Sequence, residues 1–414
     1  MSVAAAPSVV DLAVQSIAAG GDGVGRSEGM VVFVPRTAPG DLARVRLQPG
    51  KRFARGHLES LIEASSVRVE PPCKHYRADD CGGCQLQHIR YEAQLESKQG
   101  IVRDALTHIG RRPIEVPATR PSARQWRYRT KLTLAMKCTS DAWTMGLHPY
   151  DDPIGVFQLE DCPVTDDRVV GAWREIMRAA SLLPEARALR GTVRLAGDEI
   201  VVHIKGASAW PASAAFFEAV PSASALWWAP DEKGARLLHE RRHVPAGTAF
   251  GQINTEVARE LRAHVIDRVR AHSPSTVVDA YAGTGDTAAP LAALGIRVSA
   301  IELDRDAAAV CRARLPADSR SLVGKVENLL MKTLPADVVI VNPPRIGLHE
   351  RVTSMLERLR QRPRAIVYVS CDPATLARDL GRLSEYRVAS IETFDMFPQT
   401  AHIETVCELV PVAA

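Results

Sequence analysis

The sequence predicts an α/β protein in which a small β-domain and a less regular central region precede a mainly parallel sheet. From about residue 246, apolar runs rich in β-branched residues alternate with helical stretches, the pattern of a doubly wound sheet. In the first 62 residues, short strands are separated by glycine-rich turns instead. We therefore divide the 414 residues into three domains, 1–62, 63–245 and 246–414.

The composition is that of an ordinary globular protein, with 46% hydrophobic and 24% charged residues. The net charge of +4 arises from 52 basic and 48 acidic residues, so total charge alone does not predict a nucleic-acid partner. No apolar segment reaches the ~18 residues that a membrane span needs, and no basic flank of a signal peptide begins the chain. We expect a cytoplasmic monomer without a membrane partner.

The amino-terminal segment predicts a small β-domain. Residues 31–35 and 43–47 form short strands, separated by the turn signal Ala-Pro-Gly-Asp at 38–41. Between positions 36 and 55 a single acid, Asp41, stands among six basic residues: Arg36, Arg44, Arg46, Lys51, Arg52 and Arg55. On charge alone, a solvated face explains this excess as well as an RNA-binding surface does.

The central segment contains a group of cysteines with the spacing of metal ligands. Cys73, Cys81 and Cys84 lie within a dozen residues, and Cys162 follows at a distance. A disulfide framework is not expected in a long chain without a signal peptide. Four thiolates suit zinc as well as an iron–sulfur cluster, and the spacing alone leaves both open.

A basic and aromatic run follows in the same segment. Residues 124–131 read Arg-Gln-Trp-Arg-Tyr-Arg-Thr-Lys, four cations and two aromatics without an acid. Cations bind phosphates and aromatic faces stack on unpaired bases, so the run suits single-stranded RNA. An amphipathic strand with one basic side is the alternative.

The carboxyl-terminal segment predicts the parallel sheet. Strands are expected at 276–280, 296–301, 336–341 and 365–369. Helical stretches at 304–315 and 373–384 separate or follow them. In open α/β sheets, ligands bind at the carboxyl ends of such strands.

A glycine-rich loop after the first of these strands indicates a nucleotide-like cofactor. Asp-Ala-Tyr-Ala-Gly-Thr-Gly-Asp at 279–286 allows a tight turn and a close approach of the backbone. Glu302, about twenty residues on, supplies a carboxylate for ribose hydroxyls. A dinucleotide fingerprint requires a third glycine where Ala288 stands. The order of residues instead resembles the class I S-adenosylmethionine methyltransferases, and hence a Rossmann-like catalytic domain.

Cys371 is the most informative single residue. It follows the apolar strand 365–369, and Asp372-Pro373 then opens a helix. A thiol at a strand end, beside a helix amino terminus that favours thiolate, is placed to act as a nucleophile. A small buried hydrophobic residue is the alternative for an isolated cysteine.

Further motifs complete a family resemblance. They are Asn-Pro-Pro-Arg-Ile-Gly at 342–347, Ser-Cys-Asp-Pro-Ala-Thr-Leu-Ala-Arg-Asp at 370–379 and Phe-Pro-Gln-Thr-Ala-His-Ile-Glu at 397–404. With the four cysteines, they resemble the RNA uracil-5-methyltransferases that carry an iron–sulfur cluster and a TRAM domain, a small RNA-binding barrel. Gly-Asp-Gly-Val-Gly at 21–25 is similar to the start of that barrel. The matches run from about residue 20 to 410.

The resemblance implies roles for particular residues. Cys371 would be the nucleophile and Glu404 the general base. Cys73, Cys81, Cys84 and Cys162 would hold a [4Fe-4S] cluster. The cofactor S-adenosylmethionine would contact a further set: Gln252, Tyr281, Asp286, Glu302, Asn328 and Asn342. On residue type alone, Tyr281 could serve packing and Asn328 could cap a helix. The partner would be RNA, either ribosomal or transfer RNA.

Three departures from the family pattern stand out. Ala282 replaces a cysteine that is not the nucleophile, and the spacing from Cys73 to Cys81 is two residues longer than usual. Asn342 stands where the family has aspartate. An asparagine amide can accept from uracil N3–H or donate to cytosine N3, so the target base is less secure than the reaction type.

The sequence leaves three alternative functions: a cytosine-5 RNA methyltransferase, a catalytically silent RNA-binding protein and a methyltransferase acting on an exocyclic amine. The last draws on Asn342-Pro343-Pro344, although Arg345 occupies the place of that motif's aromatic residue.

Overall fold

The computed structural model describes residues 8–140, 142–230, 234–244 and 252–412. Three sheets follow one another along the chain, in the order of the three predicted domains. The domain bounds themselves remain predictions, and the one between 245 and 246 lies outside the described residues. None of the helices in the described ranges is long and apolar enough to cross a membrane.

The first sheet is a closed five-stranded barrel in the order β1-β2-β3-β5-β4. Its strands are β1 (Val9–Ile17), β2 (Gly23–Ser27), β3 (Met30–Val34), β4 (Leu42–Pro49) and β5 (Ala54–Glu63). Alternate apolar side chains point inward and fill the barrel, among them Leu12, Val32 and Val45. The predicted small β-domain is confirmed, whereas its assignment as a TRAM domain stays a prediction.

Helices and a second sheet form the central region. The helices are α1 (Lys74–Ala78), α2 (Tyr91–His108), α3 (Asp167–Arg178) and α4 (Ser213–Ala219). The strands are β6 (Lys131–Thr139), β7 (Ala142–Leu147), β8 (Phe157–Gln158), β9 (Ala188–Ala196), β10 (Glu199–Lys205), β11 (Ala223–Ala229) and β12 (Arg236–Glu240). They pair in the order β12-β11-β10-β9-β6-β7-β8, and Trp173 of α3 lies fully buried in the core of this layer.

The third sheet has seven strands in the order β15-β14-β13-β16-β17-β19-β18. The strands are β13 (Thr276–Ala280), β14 (Arg297–Glu302), β15 (Arg320–Val323), β16 (Val338–Val341), β17 (Ala365–Ser370), β18 (Tyr386–Phe394) and β19 (Glu404–Pro411). The helices are α5 (Thr255–Arg270), α6 (Ala288–Ala293), α7 (Arg305–Arg314), α8 (Val326–Leu329), α9 (Glu350–Glu357) and α10 (Pro373–Gly381).

This third sheet confirms the predicted α/β architecture. Strands β13 to β17 are parallel, and apolar residues on both faces of the sheet are buried. The four predicted strands lie within one or two residues of β13, β14, β16 and β17. The predicted helix 373–384 is shorter, since α10 ends at Gly381. The antiparallel strands β18 and β19 were not predicted, although β19 carries Glu404.

Helix α2 joins the central region to the third sheet. Val102, Ala105 and Leu106 of α2 share one buried cluster with Leu376 and Leu380 of α10. Helix α10 begins just after Cys371, so α2 packs against the helix that follows the predicted nucleophile.

Candidate active site

The register of β17 and β19 brings the two predicted catalytic residues to one edge of the sheet. Ser370, the last residue of β17, pairs with Thr405 of the antiparallel β19. Cys371 and Glu404 occupy the next position beyond that pair on each strand. The thiol and the carboxyl group therefore lie beside each other at the carboxyl ends of the parallel strands, where ligands bind in such sheets.

Cys371 is held in a sharp strand-to-helix turn. Asp372 is the N-cap of α10, where its Oδ1 accepts from the Thr375 N–H (2.8 Å), and Pro373 starts the helix. The thiol is half-buried. Burial first, and the adjacent Glu404 second, raise the pKa of the Cys371 thiol above its ordinary value. Burial and Glu404 thus act against the helix amino terminus, which favours the thiolate.

Glu404 is a carboxyl group kept neutral at mild acidity. Burial raises its pKa to about 7, and the Arg345 guanidinium acts in the opposite direction. Arg345 likewise lowers the pKa of Cys371 and of His402, which burial brings to about 4. One exposed cation thus faces a thiol, a carboxyl group and a neutral imidazole. The sequence motifs contained Arg345 and His402 without assigning them a role.

A strained loop follows β13 at the same edge. Tyr281 has a left-handed φ of 66°, and Gly283 and Gly285 also have positive φ. The Gly283 N–H donates to Glu302 Oε2 (2.8 Å), which ties this loop to the end of β14. A Cβ on Gly285 would come within 2.7 Å of Cys311 Sγ, so only glycine fits there.

The buried carboxyl group of Asp279 lies under this loop. Burial raises its pKa to about 7, and Glu302 and Asp286 add to that effect. Its Oδ2 has no hydrogen-bond partner among the described residues. An unpartnered buried acceptor beneath a glycine-rich loop fits a ligand that brings hydroxyl or amino donors.

Asn342 lies at the end of β16, between the loop after β13 and Cys371. Its side chain is exposed, and its N–H donates to the Ala280 carbonyl (3.3 Å). Asp379 of α10 fixes the chain that follows, because its Oδ2 accepts from the Leu348 N–H (2.7 Å) and the Tyr368 hydroxyl (2.8 Å). These hydrogen bonds hold the loop that carries Arg345 against α10.

Three predicted cofactor residues contact other residues of the chain. Asp286 forms ion pairs with Arg262 (3.2 Å) and Arg314 (2.7 Å). Gln252 is exposed, and its backbone carbonyl accepts from the Thr130 hydroxyl (3.4 Å). Asn328 is exposed within α8, and its Oδ1 faces Arg351 at 3.5 Å.

Helix α8 corrects one sequence interpretation. Its N-cap is Lys325, so the alternative in which Asn328 caps a helix is wrong. The neighbouring Glu327 instead raises the pKa of Tyr281, after burial, and thus faces the loop. Glu327 had no motif that could have identified it.

The four predicted metal ligands are gathered beside the barrel. Cys73, Cys81 and Cys84 are buried and Cys162 is half-buried. Burial, and then the other thiols, raise the pKa of Cys84, and the pKa of Cys81 is raised to about 11. Within the described ranges, no three His, Cys, Asp or Glu side chains are arranged to hold a single metal ion.

Two residues of the basic and aromatic run 124–131, Arg127 and Tyr128, make contacts inside the protein. Arg127 donates to both carboxylate oxygens of Asp161 (3.1 Å each) and to the Cys162 carbonyl (3.0 Å). Tyr128 is 2% exposed, and its hydroxyl donates to the Pro398 carbonyl (3.0 Å). The run precedes β6 as a loop, so both the amphipathic strand and base stacking by Tyr128 are wrong.

Known proteins resemble this chain over nearly its whole length. A family model described as tRNA (uracil-5-)-methyltransferase matches residues 317–410, which include Asn342, Cys371 and Glu404. An uncharacterised RNA methyltransferase of Protochlamydia amoebophila is 30% identical over 96% of this chain and 97% of its own. One from Thermosynechococcus vestitus is 31% identical over 99% of both chains.

A solved structure shares the whole architecture. It is the Pyrococcus abyssi tRNA (uracil-54, C5)-methyltransferase in complex with S-adenosyl-L-homocysteine. The two chains are 25% identical, and the alignment covers 97% of this chain and 99% of the other with a TM-score of 0.71.

Proposed function

The chain belongs to the RNA uracil-5-methyltransferase family, and we propose that it methylates carbon 5 of a uridine in transfer or ribosomal RNA. That it is an S-adenosylmethionine-dependent RNA methyltransferase follows from the family itself. The choice of atom and the covalent route are our proposal. The observation that carries them is the register that sets Cys371 and Glu404 side by side.

The first step needs a nucleophile because carbon 5 of uracil reacts poorly with a sulfonium methyl group. The Cys371 thiolate adds to carbon 6, which forms a sulfur–carbon bond and moves the electrons of the 5,6 double bond into an enolate. Arg345 lowers the pKa of the thiol, so its charge supports the thiolate. Bound S-adenosylmethionine supplies the methyl group that carbon 5 then takes.

The last step needs a base. Glu404 removes the proton from carbon 5, the 5,6 double bond re-forms and the Cys371 thiolate leaves carbon 6. A carboxyl group with a pKa of about 7 is well matched to this task, because it is partly ionised at neutral pH and is basic enough to take a proton. Arg345 lies where it can face the negative charge of both residues.

The loop after β13 supports the cofactor assignment. Glu302, which the loop contacts through the Gly283 N–H, would accept from the ribose hydroxyls. Asp279 has an unpartnered oxygen beneath the loop, and Tyr281 packs at its edge. Asp286 and Asn328, held by arginines, would have to change partners to touch the cofactor, and Gln252 would approach from the start of α5.

The test of this proposal is methyl transfer to unmodified RNA. The purified protein, incubated with methyl-labelled S-adenosylmethionine and RNA from cells lacking the gene, should yield labelled 5-methyluridine at one position. Transfer and ribosomal RNA are supplied separately to identify the substrate. Label found only in 5-methylcytidine or on an exocyclic amine would refute the uracil assignment, and no transfer to either RNA would favour a silent RNA-binding protein.

The pH dependence should separate the two catalytic groups. Because Glu404 keeps its proton until the pH passes about 7, release of methylated RNA should rise through that pH and then level off. The raised pKa of Cys371 should make covalent attachment increase further into the alkaline range. Single-turnover rates of attachment and release at a series of pH values measure both. In Arg345→Gln, both midpoints should shift to higher pH, and unshifted midpoints would contradict the electrostatic role of Arg345.

We also propose that the four cysteines hold a [4Fe-4S] cluster. Cys73, Cys81, Cys84 and Cys162 supply the four thiolates that such a cluster needs, and they lie close enough together for the other three to act on the pKa of Cys84. Arg36 of the barrel donates to the Cys81 carbonyl (3.0 Å), and its buried Nη1 has no partner among the described residues. A buried, unpartnered cationic donor beside the thiols fits an anionic cluster. Methyl transfer needs no electron, so the cluster would stabilise structure.

The cluster gives a direct chemical prediction. Anaerobically purified protein should be brown and contain about four irons per chain, and Cys84→Ser should lose the iron. Cys138→Ser is the matched control, because Cys138 lies on β6 and outside the group of four. Iron and inorganic sulfide analysis measures both variants. Stoichiometric zinc without iron would contradict the proposal.

A further inference from the structure

The loop that carries the predicted base is built on another part of the chain. Residues 395–403 connect β18 to Glu404, and two of their hydrogen bonds join them to the segment that follows Cys81 and Cys84. The Leu86 N–H donates to the Gln399 carbonyl (2.9 Å), and the Ala401 N–H reaches Gln85 Oε1 (3.5 Å). The loop is therefore fixed from two sides, since Met396 and Ile403 are also buried in the cores that flank the third sheet.

Gln94 of α2 is the centre of this contact. Its Nε2 donates to Gln399 Oε1 (2.9 Å), and its Oε1 accepts from the Gln399 N–H (3.0 Å). The same Nε2 faces the carbonyls of Leu86 (3.1 Å) and Ile89 (2.7 Å). Gln94 and Gln399 are 1% and 3% exposed, so water does not compete for these bonds.

Gln399 itself is held in a strained conformation. Its φ of 71° lies in the left-handed region, which residues other than glycine rarely adopt. This backbone conformation costs about 1–3 kcal/mol, so a residue keeps it only where its surroundings fix it. The two-way amide contact with Gln94 is such a fixing interaction.

Lys98, one turn further along α2, holds the start of the loop. Its Nζ donates to Asp395 Oδ1 (2.5 Å) and to the Phe397 carbonyl (3.0 Å), and both ionic side chains are fully buried. A buried pair of this kind fixes geometry, because either charge alone would be unpaired in the interior. Two residues of one helix thus hold both ends of the stretch 395–399.

We infer that Gln94 and Lys98 are positioning residues that set the place of Glu404 and thereby control the step that releases RNA. The inference rests on the proposed function. Cys371 lies at the end of β17 and the start of α10, and the hydrogen bonds of Gln94 and Lys98 go to the loop before Glu404, so attachment and methyl transfer should depend less on the contact than release does. Loss of the contact should therefore slow proton removal and leave the covalent adduct to accumulate.

The experiment uses Gln94→Leu in the full-length protein. Rates of adduct formation and of adduct release are measured in single turnovers, on the RNA that the wild-type enzyme methylates. Release should slow about tenfold or more, because small misplacements of a catalytic group have effects of that size, whereas adduct formation should stay within about twofold. The pH midpoint of release should also move below about 7, since a loosened Glu404 becomes better solvated.

The matched control is Gln99→Leu. Gln99 lies on the same helix, and its Nε2 donates to the Val116 carbonyl (2.6 Å) without touching the loop. This control should leave the ratio of the two rates unchanged. Equal slowing of both steps in Gln94→Leu, or the same ratio in both variants, would overturn the inference.

A second variant covers the case in which Gln94→Leu does not fold. Gln399→Gly removes the side-chain amide and tolerates the positive φ, so it should fold and shift the ratio in the same direction by a smaller factor. No shift there would also overturn the inference. A wild-type enzyme that forms no adduct would instead refute the proposed function, and the two failures are thus distinct.

Discussion

Cys371→Ala is expected to abolish methyl transfer and all covalent attachment to RNA, whereas Glu404→Gln is expected to methylate carbon 5 and then stall. Alanine has no nucleophile, so carbon 5 is never activated. Glutamine fills the same space as glutamate but cannot take the carbon-5 proton, so the thiolate cannot leave. Turnover of the glutamine variant should fall by a factor of about 10²–10⁴.

The two outcomes separate on a denaturing gel. With labelled RNA, Glu404→Gln should give a denaturant-resistant protein–RNA band that carries the methyl group, and Cys371→Ala should give none. Cys138→Ala, which changes a half-buried cysteine on β6, should behave like the wild type. Normal turnover by Glu404→Gln would mean that the base has been misassigned, and methylation by Cys371→Ala would exclude the covalent route.

The elements that follow from local sequence could be predicted. A β-branched run followed by Asp372-Pro373 predicts the strand 365–369 and the turn into α10. Equally local patterns predict β13, β14 and β16. The position of Cys371 at the sheet edge follows from them. Glu404 differs, because it reaches that edge only through the antiparallel pairing of β17 with β19, which local patterns do not encode.

Partners distant in sequence change two interpretations that rest on local charge. Arg127 belongs to a run without acids, yet it is neutralised by Asp161 and Asp167, more than thirty residues away. The helix amino terminus beside Cys371 favours a thiolate, but burial and Glu404 from another strand outweigh it. Charge patterns along a chain describe a surface only where no other segment covers it.

Asn342 is expected to give the second large effect, because we propose that its side chain contacts the target base. If its Oδ1 accepts from uracil N3–H, Asn342→Asp should preserve uracil methylation and increase its rate, since a charged acceptor forms the stronger hydrogen bond. If its Nδ2 donates to cytosine N3, the same change sets a carboxylate against an unprotonated nitrogen. An unmatched polar group costs ~1–3 kcal/mol, so the rate would then fall by about fivefold to 150-fold.

The uracil and cytosine hypotheses therefore predict rate changes of opposite sign for Asn342→Asp. Matched RNA substrates with uracil or cytosine at the methylated position, tested with both proteins, provide the measurement and its internal control. We expect uracil, because the family model that matches residues 317–410 is described as tRNA (uracil-5-)-methyltransferase. A family aspartate can only accept, whereas asparagine keeps the same acceptor and loses the charge, which weakens recognition of uracil without reversing it. A wild-type enzyme that methylates only the cytosine substrate would reverse that assignment.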